Sequence, residues 1–338
     1  ACWHSGLGTR ERTDTWIAII EGRAKVIVGA RSALFLPYQN LGLVVLDESH
    51  DHSYKQEEVV NYQGRDMAVV RAKMENFPLI LATATPDLET LNNVEEGKYD
   101  IVKLESRYAS AELPAIKIID LKADKPQKGD WGVSWLAPSL VAAMKENLEK
   151  GEQSMLFLNR RGYAPLIICR DCGHRIQCPH CTAWLTEHRN TKSLVCHHCG
   201  YSIPIPKVCP ECGSEQGLTA CGPGVERVAE EVKSRFPDAN IRIISSDITS
   251  TLADVSGVIK EMEEGKVDIL IGTQILAKGH HFPCLTLVGI VDADLGLMGS
   301  DLRATEQTYQ LLSQVSGRAG RGEKKGTVYL QTLYPDNA

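Results

Sequence analysis

Eight of the chain's 11 cysteines fall into four Cys-x-x-Cys pairs: Cys169/Cys172, Cys178/Cys181, Cys196/Cys199 and Cys209/Cys212. A pair at this spacing offers two thiolates from one tight turn, and tetrahedral Zn²⁺ takes four. Eight thiolates therefore suit two Zn²⁺ ions. The inner pairs are separated by a 14-residue loop, close to zinc-ribbon spacing. Joining the first pair to the second would instead force the short stretch from Cys172 to Cys178 around one ion. Nesting is the expectation: Cys169, Cys172, Cys209 and Cys212 hold one Zn²⁺, and Cys178, Cys181, Cys196 and Cys199 hold the other. Gly173, Gly200 and Gly213 directly follow second cysteines, where such knuckles relax into an open turn. Histidines 174, 180, 197 and 198 could substitute as ligands, but four thiolates per ion suffice and leave no open coordination position. The centres read as structural. A zinc deaminase would need His-x-Glu with Pro-Cys-x-x-Cys, and neither string occurs.

A second constellation begins where the apolar run Leu41-Gly-Leu-Val-Val-Leu46 leads into Asp47-Glu48-Ser49-His50. A carboxylate at the carboxyl end of a buried parallel strand sits where α/β sheets bind ligands. In P-loop ATPases an Asp there holds Mg²⁺ and a neighbouring acid can orient or deprotonate the attacking water. One strand later, Leu79-Ile80-Leu81 is followed by Ala82-Thr83-Ala84-Thr85-Pro86. Hydroxyls at that place can hydrogen-bond the carboxylate turn, so Thr83 and Thr85 are candidates for sensing nucleotide state.

Near the other end stands Gln314-Val-Ser-Gly-Arg318-Ala-Gly-Arg321. Guanidinium forks three residues apart share a helical face and fit phosphate oxygens, including a transferring γ-phosphoryl group. Ile269-Leu-Ile271 leads into Gly272-Thr273-Gln274 and then Lys278-Gly-His-His-Phe-Pro283, while Leu156-Phe-Leu158 leads into Asn159-Arg160-Arg161. Amides, a hydroxyl and cations at strand ends suit a nucleic-acid backbone.

These groups need a scaffold. Apolar runs at residues 25–28, 41–46, 79–82, 155–158, 241–244, 269–271, 285–291 and 327–331 lack period-2 alternation and read as strands of parallel sheets. Helix-like segments at 66–75, 139–149, 225–236 and 304–314 lie between them, giving an α/β class. Residues 122–135 crowd Asp, Lys, Pro, Gly and Trp without periodicity and read as a linker or surface loop, and 116–121 could open a second lobe. The expected division is residues 1–110, then 111–168 with 214–338, interrupted by a Cys-rich insert at 169–213. With 43% apolar and 24% charged residues the composition is that of a soluble globular protein, and no apolar run is long enough to span a bilayer. Cysteines gathered in one segment argue for metal in a reducing, cytoplasmic compartment. The net charge of −6 neither requires nor excludes nucleic acid, because a backbone is gripped locally.

In order and spacing these strings resemble superfamily 2 helicases, and more narrowly the primosomal replication-restart DNA helicases (the primosomal protein N′ family). The matching residues are Gly29-Ala-Arg31-Ser32-Ala-Leu-Phe35, Asp47-Glu-Ser-His50, Ser53-Tyr-Lys-Gln56, Ala84-Thr-Pro86, residues 157–162, 272–274 with 278–283, and the arginine pair. The resemblance implies two RecA-like lobes, the first incomplete, with mostly parallel sheets and a zinc-binding insert in the second. It implies a bacterial enzyme, associated with the nucleoid, that translocates 3′ to 5′ on single-stranded or forked DNA. It would use ATP with Mg²⁺ and act with other primosome proteins and single-stranded-DNA-binding protein. Asp47, Glu48, His50, Arg318 and Arg321 would be catalytic; Thr83, Thr85 and Gln314 would couple to ATP; Arg31, Ser32, Tyr62, Arg160, Arg161, Thr273 and Lys278 would meet DNA. The loop 57–64 departs from the family pattern in offering only Tyr62 as an aromatic. No Gly-Lys-Ser or Gly-Lys-Thr occurs, so the phosphate cradle of a P-loop is absent and the chain reads as a piece of a longer protein, inert toward ATP alone. The competing expectation is a zinc-containing module that binds DNA and proteins without motor activity.

Overall fold

A computed structural model describes the chain except residues 57–59, 105–112, 128, 130–133, 159–165, 170, 182–183, 189–192, 197–198, 216, 222–224, 246–251, 274–275, 277–281, 295–302, 321–323 and 338. Two compact units, Ala1–Val102 and Lys103–Ala338, make it up.

In the first unit, β1 (Cys2–Trp3) pairs in parallel with β2 (Val28–Gly29), and α1 (Thr9–Ile20) lies between them in sequence. A 3₁₀ turn, Arg31–Phe35, follows. The strand β3 (Val44–Leu46) precedes the short hairpin of β4 (Lys55–Gln56) and β5 (Tyr62–Gln63). After α2 (Gly64–Glu75), β6 (Leu79–Leu81) returns parallel to β3, and α3 (Leu88–Glu95) closes the unit. A small core of Trp3, Ile19 and Leu36 holds the first part together. The sequence predicts buried strands here, but Val28, Val45 and Ile80 are exposed. Each parallel sheet among the described residues of this unit has only two strands, too few to be covered on both faces.

The second unit contains a six-stranded, wholly parallel sheet in the order β14-β15-β8-β16-β17-β7. Its strands are β7 (Ala115–Asp120), β8 (Gln153–Phe157), β14 (Ile241–Ile244), β15 (Ile269–Gly272), β16 (Leu285–Ile290) and β17 (Thr327–Thr332). The helices α4 (Pro138–Glu149), α5 (Val225–Arg235), α6 (Leu252–Glu263) and α7 (Ala304–Ser316) connect them. Alternate side chains of a strand point to opposite faces. Leu156, Ile269 and Ile271 accordingly join Leu140, Met144, Val228 and Val232 in one apolar cluster, while Met155, Phe157 and Leu270 join Met262 and Val315 in another. Both faces are covered, which is why these strands read as continuous apolar runs. The stretch that reads as a linker ends inside this unit: Ser134, Leu136 and Ala137 are buried, and the Trp135 amide donates to Glu231 Oε2 at 2.7 Å.

Phe157 stands in register with Gly272 and Ile290, so β8, β15 and β16 end side by side at one carboxyl edge. Inserted within this unit is an antiparallel sheet of short strands in the order β12-β11-β10-β9-β13. These are β9 (Leu166–Cys169), β10 (Thr186–His188), β11 (Ser193–Val195), β12 (Ser202–Pro204) and β13 (Leu218–Cys221).

Candidate functional site

The carboxylate turn forms because β3 ends one residue before Asp47 and its neighbour β6 fixes it from the side. The Ala82 amide donates to Leu46 O at 2.8 Å, and the Ser49 amide donates to Ala82 O at 3.0 Å. Glu48 adopts φ +46°, a left-handed conformation that costs a non-glycine residue about 1–2 kcal/mol. Such strain persists only where surroundings over-determine it, as at sites that must aim a side chain. The surroundings are visible. Asp47 accepts the Glu48 amide at 3.0 Å, the Asp51 amide donates to Glu48 O at 2.8 Å, and Tyr54 Oη donates to Asp47 O at 2.7 Å. Burial first, then the negative charge of Asp47, Asp51 and Glu48, pushes the Tyr54 phenol above its ordinary pKa and keeps it a donor.

His50, buried behind the turn, collects the predicted hydroxyls. Its Nδ1 lies 2.7 Å from Thr83 Oγ1 and 3.7 Å from Glu48 Oε2, and its Nε2 lies 3.5 Å from Thr85 Oγ1. The Thr85 amide also donates to Thr83 Oγ1 at 3.0 Å. Asp47, Glu48, His50, Thr83 and Thr85 are thus one connected group. Glu48 Oε2 is buried yet accepts no hydrogen bond from the described residues. Hard carboxylate oxygens of this kind fit Mg²⁺ or the water it holds.

Arg31, a candidate DNA contact, is also hydrogen-bonded within its own unit. Its guanidinium donates to Ser53 O at 2.7 Å, Lys55 O at 2.5 Å and the Gln56 side-chain oxygen, and it lies 5.6 Å from the centre of the Tyr62 ring. Its place in the 3₁₀ turn brings Nη1 to two backbone carbonyls and Nη2 to one side-chain oxygen of residues 53–56. Tyr62 also meets Phe35 edge to face at 5.2 Å. Ser32 lies on the same 3₁₀ turn.

In the second unit, Gln314 is half-buried near the end of α7 and Arg318 is buried just beyond it, its amide donating to Val315 O at 3.0 Å. Gly320 has φ +68°, and a Cβ there would meet Gly326 N at 2.4 Å, so only glycine fits between the two passes of backbone. Its amide donates to Leu285 O at 3.0 Å, which sets this segment at the amino end of β16. Thr273 instead follows β15 at the carboxyl edge, its amide donating to Ile244 O at 3.3 Å. The arginine segment and the strand-end segment therefore occupy opposite ends of one sheet. Arg160, Arg161, Lys278 and Arg321 lie outside the described residues.

The cysteines form two groups, Cys169, Cys172, Cys209 and Cys212, and Cys178, Cys181, Cys196 and Cys199, each with its sulfurs within 4.8 Å of one another. Four sulfurs about 2.3 Å from a tetrahedral ion stand about 3.8 Å apart. The observed separations fit: 3.6 Å for Cys169–Cys212, 3.7 Å for Cys172–Cys209, and 3.4 Å for both Cys178–Cys199 and Cys181–Cys196. Gly173, Gly200 and Gly213 have φ of 82°, 76° and 72°, and each donates its amide back to the first cysteine of its pair. The His174 and His180 amides donate to Cys172 Sγ and Cys178 Sγ, both at 3.4 Å. Burial, with the neighbouring thiols, pushes Cys172 up to about 12, a group that a bound cation would ionise.

The Cys-rich region domain of the PriA DNA helicase matches residues 178–204, and the helicase conserved C-terminal domain matches residues 222–323. The chain is 49% identical over 335 residues to the replication restart protein PriA of Rickettsia conorii, covering 99% of this chain and 51% of the relative. Corresponding proteins of Haemophilus influenzae and Bacillus subtilis are 44% and 42% identical, with 45% and 41% of their lengths covered. The chain spans about half the length of the curated relatives it matches. Among solved structures, the helicase MrfA bound to DNA superposes with a TM-score of 0.50 at 13% identity, covering 98% of this chain and 37% of that one, a likeness of fold alone.

Proposed function

The chain belongs, over the half of their length that it spans, to the family of replication restart proteins PriA, and from that premise we propose that it is the core of an ATP-driven, 3′–5′ DNA helicase that restarts stalled forks and assembles the primosome. The observation that carries this reading is the connected group around the carboxylate turn. A strained glutamate with an unsatisfied buried oxygen, an aspartate beside it and a histidine bridging to two threonines form a site prepared for a ligand.

Asp47 holds Mg²⁺, which supplies charge neutralisation on the phosphates of bound ATP. Glu48 orients and deprotonates the attacking water. His50 passes the state of the turn to Thr83 and Thr85, the route by which nucleotide state reaches the rest of the unit. Arg318 and Arg321 meet the charge developing on the γ-phosphoryl group, with Gln314 holding the nucleotide. Ser32, Tyr62, Arg160, Arg161, Thr273 and Lys278 touch the DNA backbone or stack on bases. Arg31, 5.6 Å from the Tyr62 ring centre, meets the DNA backbone beside them. Two structural Zn²⁺ stabilise the insert. Residues 1–110 form one lobe, 111–168 with 214–338 the other, and 169–213 the insert. Forked and single-stranded DNA, single-stranded-DNA-binding protein and other primosome proteins are the partners, in the bacterial cytoplasm on the nucleoid; no helix among the described residues is long and apolar enough to cross a membrane.

The 338-residue chain, lacking Gly-Lys-Ser/Thr, hydrolyses no ATP by itself. In the full-length protein, Asp47→Asn and Arg318→Ala each lower DNA-stimulated phosphate release by about 10²–10⁵-fold. Unwinding that survived both substitutions would overturn the motor and leave a zinc-containing assembly module.

A further inference from the structure

The Cys-rich insert contains a buried arginine that the helicase reading does not use. Arg175 lies between the first two cysteine pairs, antiparallel to Ile168 of β9, with its side chain almost wholly buried. Its Nη1 donates to Asp294 O at 3.2 Å, and its Nη2 lies 3.6 Å from Asp294 Oδ2 and 3.8 Å from Asp292 Oδ1. Both aspartates belong to the turn leaving the carboxyl end of β16. Asp294 is itself buried and anchored to β17: Oδ1 accepts the Thr332 hydroxyl and Oδ2 accepts the Leu333 amide at 2.8 Å. The insert's charge therefore completes a carboxylate cluster belonging to the main sheet.

The other side of Arg175 is covered by Trp184, whose ring centre is 4.4 Å from the guanidinium carbon. Trp184 faces Gln177 across a short antiparallel hairpin, closed also by the Leu185 amide donating to Ile176 O at 2.9 Å. Residues two apart on one strand share a face, which puts Arg175 diagonal to Trp184. The tip of that hairpin is the Cys178–Cys181 knuckle, half of one four-thiol cluster. Among the described residues the tip is otherwise held by the apolar packing of Cys178 and the His180–Tyr201 ring contact at 4.8 Å, so without a metal to gather the sulfurs Trp184 is held less firmly over Arg175. Ile168 packing on Leu333, and Tyr334 Oη donating to Gly173 O at 2.9 Å, join the insert to the sheet at the same edge.

We propose that Arg175 is a positioning residue that transmits metal occupancy of the Cys178 cluster to the Asp292–Asp294 turn of the main sheet. With the hairpin closed, Trp184 holds the guanidinium against both carboxylates and the turn is rigid. With it open, the two neighbouring carboxylates lose the Arg175 charge and the turn loosens. Coupling of this kind is reciprocal, so losing Arg175 also weakens zinc binding, read as easier loss to a chelator. The proposal stands independently of ATP hydrolysis.

Hydrogen exchange of the Ala293 and Asp294 amides in the full-length protein, zinc-loaded and chelator-stripped, tests it. Wild type should exchange at least tenfold faster at these amides after stripping. Arg175→Met should exchange as fast with zinc bound, gain nothing further on stripping, and release zinc to a chelating dye faster than wild type. Trp184→Leu, which keeps the charge, should fall between, and serves if Arg175→Met does not fold. Unchanged exchange in stripped wild type, or slow exchange in zinc-loaded Arg175→Met, overturns the proposal.

Discussion

The chain has two chemically dense centres that are built in opposite ways. The carboxylate turn is held by the fold: β3 and β6 pair, their ends bring residues 47–50 beside 82–85, and Glu48 sits strained between them. The cysteine clusters help hold the fold: strands of three and four residues, with a small apolar core of Ile167, Ile176, Leu185 and Leu194, pair in short ladders, and the sulfurs gather beside them. A site of the first kind is prepared before its ligand arrives. A site of the second kind and its ligand come together, because binding free energy there is folding free energy.

The largest expected effect follows from the second construction. Structural Zn²⁺ contributes about 10–16 kcal/mol of apparent binding free energy in small metal-dependent domains. Cys178→Ser should lower bound zinc from two ions per chain toward one and abolish amide protection of β10 to β12. Retention of two zinc ions with protection intact would mean that the insert is held by its apolar core, and the contrast between the centres would disappear. A middle effect belongs to the first construction. His50→Ala removes the group joining the turn to Thr83 and Thr85, which should cost about 1–3 kcal/mol of stability and release the Ser49 amide to exchange, without changing zinc content. If zinc were lost as well, the two centres would not be separate. The smallest effect has the opposite sign. Glu48→Gly relieves the left-handed strain and should stabilise the protein by up to about 1 kcal/mol in chemical denaturation while hydrolysis is lost. Destabilisation instead would show that the conformation costs nothing.

The same contrast explains what the sequence made legible. In the second unit β8, β15 and β16 are readable because their apolar runs are buried along their whole length, whereas β7, with Ile116 and Ile118 exposed, carries no such run. The four cysteine pairs are readable because ligand chemistry leaves little choice of residue type. In the insert, strands of three and four residues among polar neighbours carry no periodicity, and α1, α3 and α6 lie outside the helix-like segments the sequence shows: α1 has charge in its first half and apolar residues in its second rather than a stripe. Arg31 shows contacts that residue type does not announce: the resemblance implies DNA, and the fold adds carbonyls 2.5 and 2.7 Å away. Arg175 shows the converse. One arginine among cysteines gives no signal, since its partners Asp292 and Asp294 lie more than a hundred positions away and meet it only through the fold.

The proposed motor requires Glu48 and Arg318 to act in the same ATP hydrolysis. A double-mutant cycle on DNA-stimulated ATP hydrolysis by the full-length protein, using Glu48→Gln, Arg318→Ala and the pair, tests it most directly. Groups acting on the same transition state are strongly non-additive, so the double variant should be little slower than the slower single variant. Effects that simply multiply would show that the two act on separate events, and would contradict that requirement.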